Sequence, residues 1–262
     1  MGLVHTLFRV LDGAGDVAAE AARHILVRAE QAAVARGRFR IVLAGGTTPL
    51  AVYRQLAAAS ADWSAWEVYF GDERCLPPDH GERNSLAATR ALLGRVPIPQ
   101  ANVFPMAAEL GPEAAAVAYT PLVEAALPFD LVLLGMGEDG HTASLFPGHV
   151  IPQGALVIPV HDAPKPPPDR VSLTPRALTA TREVLILVTG VGKREALAAW
   201  RKGADLPVAR IARAGRTIVL LDRASGGDLD HDGLPLDPPR SDDSVHQRRP
   251  GPHCCPALPR RQ

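Results

Sequence analysis

Residues 129–149 read FDLVLLGMGEDGHTASLFPGH, and this stretch decides how the rest of the chain is read. Leu131-Val132-Leu133-Leu134 is an apolar run of the length of a buried strand, and it stops abruptly at Gly135. Gly135, Gly137 and Gly140 then let the backbone come close to a ligand, so that main-chain N–H groups can face an anion or a developing oxyanion. His141 follows directly, the side chain best suited to exchange a proton near neutral pH. Strand, glycine loop with Asp139, histidine and an expected short helical segment form the layout of a site at the C-terminal edge of a parallel sheet. The plainer reading of the same residues is a turn with a surface histidine, so the other motifs have to decide.

Outward from this stretch the pattern alternates. Residues 5–11 predict a first strand, and Asp16 predicts the cap of a helix over residues 17–36. Residues 39–44 predict a strand, with Thr48 capping and Pro49 opening a helix to Ala59. Residues 66–70 predict a strand, residues 84–94 a helix, 103–106 a strand, and 113–127 a helix before the central strand. Short strands are expected over 156–161 and 170–173, longer ones over 183–189 and 217–221, with a helix from Lys193 to about Lys202. Repeated β-then-α units predict an α/β fold with a mostly parallel sheet and helices on both faces. Residues 1–225 are expected to form one such domain. Beyond Ser225 the chain is rich in Pro, Gly, Asp and Arg without apolar periodicity, which predicts a disordered tail over 226–262.

Composition narrows the function. The chain has 262 residues, 47% hydrophobic, enough for a full core, and 28 basic against 28 acidic residues leave a net charge of zero. No overall field favours nucleic acid or an anionic membrane, so any anion must be bound locally. Cys75, Cys254 and Cys255 give neither a disulfide framework nor a CxxC metal pattern, which fits a reducing, cytoplasmic setting; His253-Cys254-Cys255 lacks a second spaced pair. No run approaches the roughly 18 apolar residues of a membrane helix, and Gly2 with Thr6 is the sole trace of a myristoylation signal.

Three further motifs fall at predicted strand ends. Gly45-Gly46-Thr47-Thr48-Pro49 sits at a strand-to-helix junction, where free N–H groups, the helix dipole and two hydroxyls suit a phosphate; a plain capped turn has the same sequence. Gly71-Asp72-Glu73-Arg74 offers a guanidinium for phosphate or carboxylate and, in Asp72, an acid to orient a base or bond sugar hydroxyls; the alternative is a surface ion pair. Asp72, nearest the strand end, is expected to face inward rather than Glu73. Lys193 begins a helix after Gly190-Val191-Gly192 and supplies a second cationic pole unless it is merely solvated. Pro164-Lys165-Pro166-Pro167-Pro168-Asp169-Arg170 is stiff and fixes Lys165 and Arg170, whether as ligands or as a linker. Their coincidence at strand C-termini is the argument for one site.

Taken together, LAGGTTPLAVYRQL, WEVYFGDER, DLVLLGMGEDGHTASLFPG, PKPPPDRVSLTPRAL, ILVTGVGKREAL and LPVARI resemble the 6-phosphogluconolactonase family, over about residues 5–224. The GGTTP turn and the Asp-Glu pair are shared with sugar-phosphate isomerase and deaminase relatives. The resemblance implies a modified Rossmann-like fold and hydrolysis of 6-phosphogluconolactone in the oxidative pentose phosphate pathway, with no metal or cofactor. It places the phosphate on Gly45, Gly46, Thr47, Thr48 and Lys193, makes His141 the general base, and sets Asp72 and Arg74 along the substrate. Gly137, Asp139, Gly140, Lys165 and Arg170 complete the expected binding residues. The expected partner is a small phosphorylated lactone bound by a monomer or weak homodimer. Thr47 stands where the family more often has Ser, Asn84-Ser85 reverses the usual order, and Thr174-Pro175-Arg176 replaces a more apolar stretch. No GxSxG elbow is present, and Cys75 has no visible histidine partner, which disfavours an acyl-enzyme. A glucosamine-6-phosphate deaminase-like isomerase is the rival; those relatives carry another acid soon after the histidine, whereas Thr142-Ala143-Ser144-Leu145-Phe146 has none. A non-catalytic sugar-phosphate regulator is the third reading.

Overall fold

A computed structural model describes residues 6–227 and Leu229, so the expected tail lies almost wholly outside the described residues, as do His253, Cys254 and Cys255. In chain order the elements begin with β1 (Thr6–Leu11), α1 (Ala14–Arg36), β2 (Phe39–Leu43), α2 (Thr47–Ala57), β3 (Trp66–Phe70), β4 (Asp72–Arg74) and α3 (Asn84–Ala88). They continue with α4 (Pro112–Ala126), β5 (Leu131–Gly135), β6 (Val157–Val160), β7 (Arg170–Leu173), α5 (Pro175–Thr179) and β8 (Val184–Val188). The last are α6 (Arg194–Arg201), α7 (Pro207–Ala212), β9 (Thr217–Asp222) and α8 (Arg223–Gly226).

Six strands form one parallel sheet in the order β1-β9-β8-β5-β2-β3. The central β5 and β8 are apolar throughout and buried, as strands covered on both faces must be. From β2 the chain moves outward to β3, whereas from β5 it moves outward the other way to β8, so the strand order reverses between β2 and β5. At such a reversal the loops leaving the two strands diverge and open a crevice at their C-terminal ends. The GGTTP turn follows β2 and the glycine loop of residues 135–140 follows β5, which brings both motifs to that crevice.

Several expectations are corrected. Asp16 is not the N-cap of α1; Gly13 is, and the Asp16 carboxylate reaches back to accept from the Gly13 N–H at 3.1 Å. Thr48 does not cap α2, which starts at Thr47 with Gly46 as N-cap, at φ 103. The helix expected over 84–94 is α3 followed by a π turn over Thr89–Leu93. Residues 103–106 make only an isolated bridge, Val103 to Val68, because Tyr119 Oη takes the Phe104 carbonyl and donation from Phe70 N–H goes to that same hydroxyl. No helix follows His141; residues 142–145 form a tight turn in which Leu145 N–H donates to Thr142 O at 3.0 Å.

The short strands expected over 156–161 and 170–173 form as β6 and β7, outside the parallel sheet. They join β4 in a separate antiparallel sheet, β4-β7-β6, against which α4 packs. Only Gly71 separates β3 from β4, and Leu173 N–H donates to Gly71 O at 2.8 Å. A chain that changes sheets at one glycine carries Asp72 and Arg74 over the mouth of the crevice. No helix among the described residues is long and apolar enough to cross a membrane.

Candidate active site

A cavity of about 370 Å³ occupies the crevice, and its walls come from the loops after β2, β5 and β8, from β4 and from the proline segment before β7. Gly45, Gly46, Thr47 and Thr48 line one side; Gly137 and His141 line another; Asp72, Arg74, Lys165, Arg170 and Lys193 close it. Of the residues expected at the site, only Asp139 and Gly140 do not line it.

The turn at 45–48 is built to leave donors open. The first intrahelical bond of α2 runs from Leu50 N–H to Gly46 O at 3.1 Å, so the N–H groups of Gly46, Thr47 and Thr48 have no acceptor among the described residues. Three forward-facing amides at a helix start make an anion cradle. Thr48 Oγ1 bonds Thr189 Oγ1 at 2.6 Å, tying this turn to the loop after β8 that carries Lys193. Burial draws the Lys193 ammonium below its ordinary pKa, with Glu138 opposing that shift, so the lysine is a cation short of solvent. Gly45 is held tight against Asn84: a Cβ there would lie 2.1 Å from Asn84 Oδ1.

The glycine loop after β5 is folded around His141. Gly137 N–H donates to His141 O at 2.8 Å and Gly140 N–H to Gly137 O at 3.1 Å, with Gly140 at φ 80. This closed turn puts Asp139 beside the ring: Asp139 Oδ1 lies 2.5 Å from His141 Nδ1 and accepts from His141 N–H at 3.1 Å. Burial raises the Asp139 pKa, but these bonds from His141 outweigh it and hold the carboxyl below its usual range. An ionised Asp139 fixes the proton on Nδ1 and leaves Nε2 as the basic nitrogen. Asp139 thus orients the histidine rather than lining the binding wall, and Gly140 packs toward Leu206. The Phe146 ring, 4.8 Å from the imidazole centroid, limits the ring's other side.

Asp72 faces inward, as expected, but the contrast drawn with Glu73 is wrong: Glu73 is fully buried. Its carboxylate accepts from the N–H groups of Asn84 and Ser85 at 2.7 and 2.8 Å, serving the start of α3, and Arg83 lies 3.2 Å away. Asp72 Oδ2 accepts from Ser144 Oγ at 2.6 Å and Oδ1 from Asn84 Nδ2 at 3.2 Å. Burial raises its pKa, the Ser144 bond works against that, and Glu73 adds to it. Arg74 Nη1 donates to Glu82 O at 2.5 Å, while its Nε is buried without a partner among the described residues.

Arg170 lines the cavity and also braces the segment before it. Its Nε donates to Pro167 O at 3.1 Å and Nη2 to Lys165 O at 2.7 Å, so it pins the proline loop. That loop presents Lys165, whose Nζ lies 3.3 Å from Glu138 Oε2. The residues missed by sequence reasoning are the ones that brace others: Ser144 and Asn84 on Asp72, and Thr189 on Thr48. The two hydroxyls of His141-Thr142-Ala143-Ser144 were the available signal for Ser144. Burial pushes the Cys75 thiol up to about 11, so it offers little thiolate at neutral pH.

The family described as glucosamine-6-phosphate isomerases/6-phosphogluconolactonase matches residues 12–219. The chain belongs to that family. Within it, a 6-phosphogluconolactonase of Mycobacterium tuberculosis is 44% identical over 234 residues, covering 82% of this chain and 95% of the relative. The crystal structure of 6-phosphogluconolactonase from Thermotoga maritima superposes with a TM-score of 0.77 at 32% identity, covering 83% of this chain and all of that one. A monomeric glucosamine-6-phosphate deaminase superposes almost as well, at 0.76, but at 19% identity, a likeness of fold alone. Fold therefore does not choose between the family's two chemistries; the residues around His141 have to.

Proposed function

We propose that this protein is a lactonase that opens 6-phospho-D-glucono-1,5-lactone to 6-phospho-D-gluconate, and that residues 1–225 act as one catalytic domain. The observation that carries the reading is a single cavity with an aspartate-held imidazole on one wall and a cradle of open amides with Lys193 on another. The phosphate sits on Gly46, Thr47 and Thr48 with Lys193, which sets the lactone carbonyl before His141. His141 Nε2 takes a proton from water as the oxygen attacks the carbonyl carbon. The ring C–O bond then breaks, and the ring oxygen leaves as a hydroxyl by taking from His141 the proton that the imidazole took from water. A lactone is an activated ester, so no covalent nucleophile is needed. The Arg74 guanidinium, which lines the cavity, is the donor that would bear the oxyanion. Asp72, kept in place by Ser144 and Asn84, faces the sugar hydroxyls. Lys165 is the second cation near the phosphate.

Phosphate binding remote from the reacting carbon favours the phosphorylated lactone over its plain analogue. The protein acts on a small molecule, in the cytoplasm, as a monomer or weak homodimer, without nucleic acid or membrane. The place of the reaction is the oxidative pentose phosphate pathway.

Base consumption at constant pH on freshly made 6-phosphogluconolactone should accelerate on adding protein. His141→Ala should cut turnover at saturating substrate by about 10²- to 10⁴-fold. Lys193→Ala should chiefly raise KM. Turnover of His141→Ala within a few-fold of the unsubstituted protein would remove the base assignment. Ammonia release from glucosamine 6-phosphate would instead support the deaminase chemistry.

A further inference from the structure

A second cavity, of about 290 Å³, lies at the other end of the sheet and has no part in the reaction above. Asp130, Glu183 and Arg216 immediately precede β5, β8 and β9, so the cavity opens at the N-terminal ends of the parallel strands. A five-residue strand at about 3.3 Å per residue separates it from the substrate crevice by roughly 16 Å or more. Its walls carry Arg28, Arg36, Arg182 and Arg216 around only two carboxylates, Asp130 and Glu183.

Those two acids are saturated. Asp130 accepts from Arg36 Nη2 at 2.7 Å and from Arg40 N–H at 2.9 Å, with Arg182 Nε at 3.3 Å. Glu183 accepts from Arg28 Nε and Nη2 at 3.0 and 2.8 Å, bonds His24, and has Arg216 Nε at 2.8 Å. Burial raises the Glu183 pKa, and the His24 and Arg28 bonds outweigh it, so the acid stays ionised. The lining retains an excess of two positive charges. Arg182 and Arg216, whose side chains are 54% and 65% exposed, each turn Nε inward and keep both terminal nitrogens without an acceptor among the described residues. A guanidinium drawn through Nε toward a buried carboxylate leaves its two terminal nitrogens open, and such forks lining one cavity suit the oxygens of a phosphoryl group.

We propose that this arginine-lined cavity is a second anion site, taking a compact phosphorylated molecule with at least two negative charges. It is independent of the lactone reading: the lactone assay reports on the C-terminal edge of the sheet, binding here on the N-terminal edge.

Inorganic pyrophosphate is the probe, titrated calorimetrically at physiological salt into the Lys193→Ala protein, in which the substrate cradle is weakened. One saturable site is expected. Adding Arg182→Ala and Arg216→Ala should weaken it at least about tenfold, since each lost charge-assisted contact is large on that scale. Arg182→Lys with Arg216→Lys keeps the charge but not the fork, and should weaken binding several-fold. Absence of saturable binding, or an affinity unchanged in whichever of the two arginine variants is folded, overturns the proposal.

Discussion

His141 would be an ordinary surface histidine without Asp139. The carboxylate lies 2.5 Å from Nδ1 and also takes the His141 N–H, so one acid fixes both ring and backbone. Asp139→Asn keeps the shape but loses the charge that sets the tautomer. Because Asp139 is 44% exposed, solvent screens part of its effect. Its replacement is therefore expected to lower kcat by roughly 10- to 100-fold, well short of the loss on removing a buried triad aspartate. KM should move little, since Asp139 does not line the cavity, and steady-state kinetics on the lactone separates the two. Asp72 differs in kind: it is buried and braced by Ser144 and Asn84 and makes no bond to the imidazole.

At the scale of elements, the loop after β5 works because its glycines leave room for the ring it carries. A Cβ on Gly137 would fall 2.0 Å from His141 Nδ1 and 2.7 Å from Asp139 Oδ1. Gly137→Ala must displace the imidazole, the carboxylate or the backbone between them. The expected result is a kcat loss of about 10²-fold or more, since misplacement by 1 Å is that costly. The proposed phosphate cradle is a separate loop, so the affinity for a competing phosphate ester should stay within a few-fold. A parallel loss of that affinity would show that the two loops move together. Such coupling has a physical route through Asn84, which touches Gly45 on one side and Asp72 on the other.

At the scale of the molecule, the sheet has the proposed active site at one edge and a cluster of ion pairs at the other. Glu183, buried among Arg28, His24 and Arg216, ties α1 to the start of β8 and β9. Its carboxyl sits below the ordinary value of 4.5 because the His24 and Arg28 bonds outweigh the upward pull of burial. A carboxylate with a lowered folded pKa binds fewer protons folded than unfolded. Its stabilisation is therefore present above about pH 4.5 and is lost as pH falls through the folded value. Glu183→Gln should lower stability at pH 7 by roughly 1–3 kcal/mol. The deficit should shrink as the pH is taken below 4.5, which urea titrations across that range would measure.

The alternation of apolar runs with helical stretches was sufficient in the sequence to determine a parallel α/β sheet, because strands buried on both faces must be continuously apolar, as Leu131–Leu134 and Val184–Val188 are. The glycine turns after β2 and β5, which meet at one cavity, were legible for the same local reason: backbone that must approach a neighbour closely or take positive φ shows itself as glycine. Only the tertiary structure decided which sheet a short strand joins. Residues 157–160 and 170–173 look alike in either setting, and their antiparallel pairing with 72–74 depends on the turn made at Gly71. It alone decided that Glu73 is buried to serve α3, that Arg170 holds a loop, and that arginines of α1 and of the segments before β8 and β9 converge on Asp130 and Glu183. Propensity and periodicity act over a few residues, whereas a charged side chain's role is set by partners that only the closed fold brings within hydrogen-bonding distance.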